Sequence, residues 1–326
     1  MDVAAFCRQS RVLIVAGKGG VGKTTITAAL AKMASSSGLD VLVVELEGKS
    51  GVPAAFGRED SLDYGEKVLD SLSADGTVRA RKITPDDALV EYLADHGMKR
   101  ISKRLVSSGA LDIVATAIPG IRDILVLGKV KQLERDDPSD FILVDAPATG
   151  HAMTFLSSAR GLLDAARSGP VRAQAADVVE LLSDAKRCQV VLVTLPEEMP
   201  VNEVVETAYQ LEDRIGITLA PVIVNGCLPE EPLLETDPAE AAKQVGVDID
   251  DELAAALGRA AAFRTHRYRL QAEQWERLAH ELPLPQLHAP FLFGPRIGPE
   301  ELERIGDDLA AEVGRLEEKH REEPGP

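Results

Sequence analysis

A short segment near the amino terminus has the composition of a phosphate-binding loop. Residues Ala16–Thr25 read AGKGGVGKTT and fit the pattern G-x-x-x-x-G-K-[ST] through Gly17, Gly22, Lys23 and Thr24. Glycines let the backbone curl so that successive N–H groups point at phosphate oxygens, and the following helix adds the positive end of its dipole. An apolar run precedes the segment and a helical pattern follows it, so a chance glycine turn is a poor explanation. The segment predicts binding of a nucleoside triphosphate.

The polar residues of this loop are of the types that ATP and Mg²⁺ require. Lys23 supplies a positive charge to the β- and γ-phosphates, so we predict a catalytic as well as a binding role for it. The hydroxyl of Thr24 suits Mg²⁺, which prefers oxygen ligands. We therefore predict ATP and Mg²⁺ as cofactors. The predicted nucleotide-binding residues of the loop are Gly17, Lys18, Gly19, Gly20, Val21, Gly22, Lys23, Thr24 and Thr25.

An acidic residue at the end of a later strand completes the predicted metal site. The run Phe141–Asp145 (FILVD) is apolar up to its last residue. This arrangement places a carboxylate near the water shell of the metal. We predict that Thr24 and Asp145 bind the metal and that Asp145 is also catalytic.

These residues follow short apolar runs that alternate with longer helical stretches. Such runs are typical of parallel strands buried on both faces, and their alternation with helices implies right-handed βαβ units. We predict an α/β fold of the P-loop NTPase type, with a doubly wound, mainly parallel sheet. The predicted strands are Arg11–Ala16, Val41–Glu45, Phe141–Asp145, Val190–Leu195 and Ala220–Val224, and the predicted helices are Lys23–Ser36, Pro200–Ile215 and Asp251–Glu281.

Two mostly helical stretches, residues 85–132 and 153–186, interrupt this alternation. We predict that they form one helical subdomain inserted into a single P-loop ATPase domain spanning residues 1–326. The most apolar part, Leu111–Val130, fits a packed core better than a groove for client helices, since the chain has few methionines. Residues 312–326, which are acidic and contain proline, are predicted to fray.

The composition excludes several classes of function. The 326 residues include 53 acidic and 36 basic side chains, a formal charge of −17, which opposes the basic face that duplex DNA requires. Aromatic residues make up only 4%, which argues against stacking on single strands. The three cysteines form no CxxC pair, a usage that fits a reducing cytosol. We predict a cytoplasmic protein with no nucleic-acid partner.

No apolar stretch reaches about 18 residues, the length that a membrane-spanning helix needs, so no transmembrane segment is predicted. One basic cluster, Lys99–Arg104 (KRISKR), is either a solvated helix face or a docking patch for an acidic partner or a phospholipid surface. A peripheral contact with the membrane therefore stays open.

The loop contains a lysine in addition to Lys23, and this residue, Lys18, narrows the class of P-loop protein that the loop resembles. A GKGGVGKT loop resembles that of the deviant-Walker-A class of dimeric P-loop ATPases. Ala146–His151 (APATGH) is similar to the switch loop DTAPTGH of the ArsA-type family, which comprises arsenical-pump and tail-anchored-protein targeting ATPases, with the Ala/Pro order permuted. Pro119–Ile124 (PGIRDI) resembles the family's PGxxE segment. The likeness covers about residues 11–310 and points to the actinobacterial paired ArsA-like ATPases, which share the stretch Ser168–Ala175 (SGPVRAQA).

This resemblance implies roles that the residues alone do not establish. In the class, the early lysine reaches across a dimer interface, so Lys18 is predicted to be catalytic in trans, in a homodimer or in a heterodimer with a related ATPase. Asn225, at the end of a strand in PVIVNG, matches the family's adenine-reading asparagine. The family also implies that ATP binding and hydrolysis are coupled to dimer closure and to handling of a protein or membrane-associated cargo.

The chain departs from the family's pattern at the first switch. The family reads STDPAH there, with an aspartate that orients the attacking water, whereas this chain has Glu45–Ser50 (ELEGKS). Glu47 takes the place of the aspartate and is predicted to be catalytic, although its longer side chain is compatible with slower hydrolysis. Glu45 is the next candidate for this role. The dimer-bridging CxxC of the eukaryotic targeting factor is absent, and three scattered cysteines are a poor ligand set for arsenite.

Two alternative functions stay open at this point. One is a nucleotide-gated dimeric scaffold with negligible turnover, because Glu47 replaces the usual aspartate. The other is a positioning ATPase of the MinD or ParA type, which would share the phosphate loop. The C-terminal tail lacks a basic amphipathic anchor and the net charge opposes DNA binding, so this second alternative has less support.

Overall fold

The computed structural model describes residues 1–46, 51–71, 76–95, 120–147, 149–294 and 296–322. Within this part of the chain, eight strands form one sheet. The strands are β1 (Val12–Gly17), β2 (Val41–Leu46), β3 (Lys67–Ser71), β4 (Thr77–Ile83), β5 (Phe141–Asp145), β6 (Cys188–Thr194), β7 (Val222–Cys227) and β8 (Gln286–Pro290).

The sheet has the order β3-β4-β2-β5-β1-β6-β7-β8, with β1 in an inner position. Every neighbouring pair is parallel except β3 and β4, which are antiparallel. In sheets of this kind, ligands bind beyond the carboxyl ends of the strands, where the strand order reverses. The predicted doubly wound, mainly parallel α/β fold is confirmed.

Helices cover both faces of the sheet. The helix after β6 continues directly into a π-helical turn, Leu211–Ile215, and a short 3₁₀ turn covers Pro232–Glu235. No described helix is long and apolar enough to cross a membrane. The α-helices are α1 (Val3–Cys7), α2 (Lys23–Ser36), α3 (Val52–Ala55), α4 (Pro85–Asp95), α5 (Ile121–Asp136), α6 (Thr149–Ala165), α7 (Pro170–Ser183), α8 (Glu198–Gln210), α9 (Pro238–Gln244), α10 (Asp251–Glu281) and α11 (Pro299–Glu322).

Alternate residues of each strand point to opposite faces of the sheet, so each face has its own core. Val12 and Ile14 of β1 pack in a core with residues of α4 to α8 and α10. Leu13 and Val15 pack on the other face with residues of α1, α2, α3 and α11. Because β1, β2 and β5 are buried over their whole length, they read in the sequence as apolar runs, with Glu45 and Asp145 as the charged exceptions near the carboxyl ends of β2 and β5.

The elements next to the phosphate loop follow the sequence prediction closely. Helices α2 and α10 have the predicted bounds, and the predicted strands are all present, with shifts of a few residues at their ends. Strands β3, β4 and β8 were not predicted from the sequence. In β4, Arg79 alternates with the buried Val78 and Ala80, so the strand lacks the apolar run that marks its neighbours.

The helices of the predicted inserted subdomain pack on one another: α4 and α5 are in contact, and α5, α6 and α7 form a mutually contacting group. Their assignment as a separate subdomain stays a prediction, and residues 96–119 lie outside the described part. At the C-terminus, α11 continues to Glu322, and Val313 is fully buried in the core below α2. The helical backbone therefore includes residues 312–322, and the fraying of this tail stays a prediction.

Candidate functional site

The loop between β1 and α2 has a backbone path that only glycine accepts at two positions. Gly17 has φ of +151°, and a Cβ atom there would lie 2.2 Å from the carbonyl oxygen of Val193. Gly22 has φ of +88°, and its Cβ atom would lie 2.3 Å from Nδ2 of Asn225. The loop thus turns tightly against β6 and β7.

The amino terminus of α2 lies at the end of this loop. Its N-cap is Gly22, so no side chain caps the helix, and its first turn carries no acidic residue. The first N–H groups of a helix have no partners within the helix, and with the dipole they favour an anion. Together with the exposed Gly19 and Gly20, this end of α2 has the features of a phosphate cradle.

Lys23 is folded back over the loop. Its Nζ donates a hydrogen bond to the carbonyl oxygen of Lys18 at 2.7 Å, and the residue is only 7% exposed. The ammonium group is therefore held over the loop that would receive the phosphates. Thr25 follows in the first turn of α2, and the side chain of Val21 is buried beneath the loop.

Lys18 points in a different direction from Lys23. Its Nζ forms an ion pair with Oε1 of Glu203 on α8 at 2.5 Å. The Lys18 side chain is 40% exposed, so the pair lies at the surface beside the loop. Glu203 was not predicted as a partner of Lys18, since 185 residues separate the two positions.

Asp145 and Thr24 meet at the carboxyl edge of the sheet. Strand β5 runs parallel to β1, and Asp145 lies in register with Val15. The Thr24 hydroxyl donates a hydrogen bond to Oδ2 of Asp145 at 2.7 Å, and Asp145 is fully buried. The sequence-predicted pair is therefore in direct contact.

Asn225 contacts the loop from the other side. It is part of β7, and its Nδ2 donates a hydrogen bond to the carbonyl oxygen of Val21 at 2.9 Å. In this conformation the side chain supports the loop backbone, and the adenine-reading role implied by the resemblance stays a prediction.

Several predicted residues fall outside what the structure describes. Glu47 belongs to the segment 47–50, which is not among the described residues. Pro119 of the PGIRDI segment and the basic cluster Lys99–Arg104 also lie outside them. Helix α6 begins at Thr149, and the side chains of residues 149–151 are not described.

Glu45 is a buried acidic residue at the carboxyl edge of the sheet. It was predicted only as the next candidate after Glu47 for orienting the attacking water. It lies in register with Asp145 on the neighbouring strand and is fully buried. Its Oε1 accepts a hydrogen bond from the Val52 N–H at 2.8 Å. Burial, and to a lesser extent the nearby Asp145, raises the pKa of the Glu45 carboxyl group, although the Val52 N–H opposes the shift. The sequence signal was present, because VLVVE and FILVD both end in a carboxylate.

Comparison with known proteins gives the family. A family model described as an anion-transporting ATPase, ArsA, matches residues 10–167 and 164–253. The chain belongs to the ArsA ATPase family. It is therefore an ATP hydrolase, as the resemblance of the phosphate and switch loops predicted.

Curated relatives agree with this assignment. The ATPase BagA of Mycobacterium tuberculosis is 36% identical over 254 residues, which cover 74% of this chain and 71% of that protein. A putative arsenical pump-driving ATPase of Halobacterium salinarum is 25% identical over 97% of this chain, and an arsenical pump-driving ATPase of Escherichia coli is 28% identical over 67% of it. The aligned regions cover only 46% and 39% of those two pump ATPases. This ArsA-family chain is thus much shorter than the pump proteins.

Proposed function

We propose that this ArsA-family ATPase is Mg²⁺-dependent, closes as a dimer when ATP binds, and uses hydrolysis to handle a protein or membrane-associated cargo. The observation that carries the proposal is the contact between Thr24 and Asp145 at the end of a glycine-formed loop. It brings the two metal-binding residue types of a P-loop ATPase together beside the helix terminus that suits phosphate.

The residues of the loop fit ATP. The backbone N–H groups from Gly19 to Thr24 would hold the phosphates, and Lys23 would exchange the Lys18 carbonyl for a phosphate oxygen. Such an exchange is favourable because an ammonium group binds an anionic oxygen more strongly than a neutral carbonyl.

The residues also fit Mg²⁺. A hydroxyl and a carboxylate oxygen 2.7 Å apart can face one small cation. A bound Mg²⁺ would neutralise charge that develops on the phosphate oxygens. Thr24 would be the direct ligand, and Asp145 would orient it and accept from the water shell.

We assign the orientation of the attacking water to Glu47. This assignment rests on the alignment of Glu45–Ser50 (ELEGKS) with the family's first switch, in which Glu47 takes the place of the water-orienting aspartate. We further propose that Asn225 reads adenine when nucleotide binds.

Lys18 is proposed to act in trans. Its ammonium group lies at the surface and is paired with Glu203, and not with the loop that its own chain offers to phosphate. A partner chain, either a second copy or a related ATPase, would receive this lysine at its phosphates. A cation supplied in trans accelerates phosphoryl transfer by roughly 10³–10⁵ in related switch enzymes.

The proposed cargo is a protein or a membrane-associated segment, not a metalloid. Cys7, Cys188 and Cys227 are all buried, and burial raises the pKa of each thiol to about 12. Arsenite requires accessible soft thiolates. We therefore do not propose for this chain the arsenical substrate that the names of these relatives indicate.

Steady-state hydrolysis and calorimetric ATP binding test the nucleotide site. We expect Lys23→Ala to lose both, because the β- and γ-phosphates lose their main cation. Lys243→Ala, at an exposed position on α9, is the matched control and should behave like wild type. Unchanged ATP affinity in Lys23→Ala would refute the loop assignment, and binding without turnover in the wild type would favour the scaffold alternative.

A further inference from the structure

Glu45 is an acidic side chain with no exposure to solvent at the carboxyl edge of the sheet. A carboxylate in such a position is costly unless hydrogen bonds or a cation compensate its lost hydration. Asp145 lies beside it on β5, and Lys82 lies in register with it on the other side, on β4. Burial of a second carboxyl group next to Asp145 is unfavourable unless it has a compensating interaction.

The two oxygens of Glu45 have different surroundings. Oε1 accepts the N–H of Val52, the first residue of α3. Oε2 is buried and has no hydrogen-bond partner among the described residues. Buried polar atoms are nearly always paired in native proteins, so this oxygen is suited to a donor that arrives with a ligand.

The Glu45–Val52 hydrogen bond also determines where the neighbouring backbone lies. Gly51 immediately precedes Val52 and packs so closely on Thr24 that a Cβ atom would not fit. Thr24 in turn donates to Asp145. A continuous path of contacts therefore joins Glu45, through the Gly51–Val52 backbone, to the proposed metal-binding pair.

We propose that Glu45 is a positioning residue of the metal site: Oε1 fixes the Gly51–Val52 backbone against Thr24, and Oε2 accepts a hydrogen bond from a water of the bound Mg²⁺. This inference rests on the proposed function of Thr24 and Asp145. It explains both the burial of a second carboxylate and the lack of a partner for one of its oxygens. The added negative charge also favours a divalent cation at this edge.

Binding of Mn²⁺ tests this inference without relying on turnover. Mn²⁺ is titrated into the full-length protein with a β,γ-imido ATP analogue, and free Mn²⁺ is followed by electron paramagnetic resonance. Glu45→Gln keeps one acceptor for the Val52 N–H but loses the charge and the second acceptor. We expect its dissociation constant for Mn²⁺ to rise by about 10–100-fold, as for other residues that orient metal ligands. Nucleotide affinity in the presence of EDTA should stay at the wild-type value.

Three further variants separate the outcomes. Thr24→Ala and Asp145→Asn should also weaken Mn²⁺ binding, and Glu240→Gln, an exposed charge on α9, should not. Wild-type Mn²⁺ binding in Glu45→Gln, with weak binding in the other two, would overturn this inference and leave Glu45 as a cap of α3. Wild-type binding in all three would refute the proposed metal site itself.

A conservative variant covers the case in which Glu45→Gln does not fold. Glu45→Asp keeps the charge but is one methylene shorter, so it cannot reach both the Val52 N–H and the metal's water. We expect Mn²⁺ binding weaker than in the wild type and stronger than in Asp145→Asn. Unchanged Mn²⁺ affinity in folded Glu45→Asp would contradict the positioning role.

Discussion

At the scale of single residues, three polar contacts within the chain hold the side chains of the candidate site. Lys23 binds the carbonyl of Lys18, Lys18 binds Glu203, and Thr24 binds Asp145. Each of these side chains already has a fixed partner. Ligand binding would thus exchange partners instead of ordering flexible side chains, which lowers the entropic cost of binding.

The ion pair between Lys18 and Glu203 should oppose the use of Lys18 in a dimer. Glu203→Gln removes the charge that holds the ammonium group in its own chain. Exposed ion pairs contribute up to about 1 kcal/mol each and a homodimer releases two of them, so we expect nucleotide-dependent dimers at protein concentrations lower by up to about 30-fold. Sedimentation with the non-hydrolysable ATP analogue measures this shift. Weaker dimerisation than in the wild type would indicate that Glu203 contributes to the interface directly.

At the scale of elements, the conformation of the loop between β1 and α2 determines where phosphate would bind. Its tight turn against β6 and β7 depends on glycines, and Asn225 fixes it through the Val21 carbonyl. The uncapped start of α2 then lies at the carboxyl edge of the sheet. The conformation of the loop thus depends on its contacts with strands β6 and β7.

Two glycines with similar backbone angles allow the effect of backbone strain on stability to be distinguished from the effect of the loop conformation on ATP binding. Gly22 has φ of +88° and Gly38, in the turn after α2, has φ of +82°. Alanine at either position costs about 1–2 kcal/mol for the left-handed backbone. At Gly22 it also collides with Asn225, whereas at Gly38 no described heavy atom lies within 4 Å.

We therefore expect both Gly22→Ala and Gly38→Ala to lower thermal stability, Gly22→Ala by more because of the collision, and only Gly22→Ala to lose ATP binding. Differential scanning fluorimetry and calorimetric titration measure the two effects. Normal ATP affinity in Gly22→Ala would show that the loop does not need its observed path.

The sequence predicts best the elements whose stability depends on neighbours in the chain. Helix α10 has the predicted bounds, and its start is defined locally by Asp250, which accepts a hydrogen bond from the Leu253 N–H. Strand β4 was missed because its burial depends on which strands lie beside it, and these are distant in sequence. The same holds in the site: the pairing of Lys18 with Glu203 and of Glu45 with Val52 requires the folded arrangement of several elements.

The charge of the whole molecule bears on its assembly. Two chains of −17 repel one another, so closure of a homodimer needs compensation from bridging lysines and from metal-bound phosphates. The proposed dependence of the dimer on nucleotide is consistent with this balance. A related ATPase of opposite charge would face less repulsion.

The buried thiols allow a test of the cargo assignment on the whole protein. With pKa values of about 12, Cys7, Cys188 and Cys227 stay protonated at pH 8 and are shielded from solvent. We expect the native protein to react very slowly with Ellman's reagent and all three thiols to react in guanidinium chloride. Rapid reaction of the native protein would contradict the burial of the thiols, and stimulation of hydrolysis by arsenite would contradict the proposal that the cargo is not a metalloid.

The central claim is that two ATPase chains close on ATP and exchange Lys18. Hydrolysis by a mixture of Lys18→Ala and Lys23→Ala proteins tests it most directly. Each variant alone should be inactive: Lys18→Ala lacks the lysine supplied in trans, and Lys23→Ala lacks a working nucleotide site. In a mixed dimer, the intact pocket of Lys18→Ala receives Lys18 from its partner, so activity should partly return. No recovery, although sedimentation shows that mixed dimers form, would contradict action of Lys18 in trans.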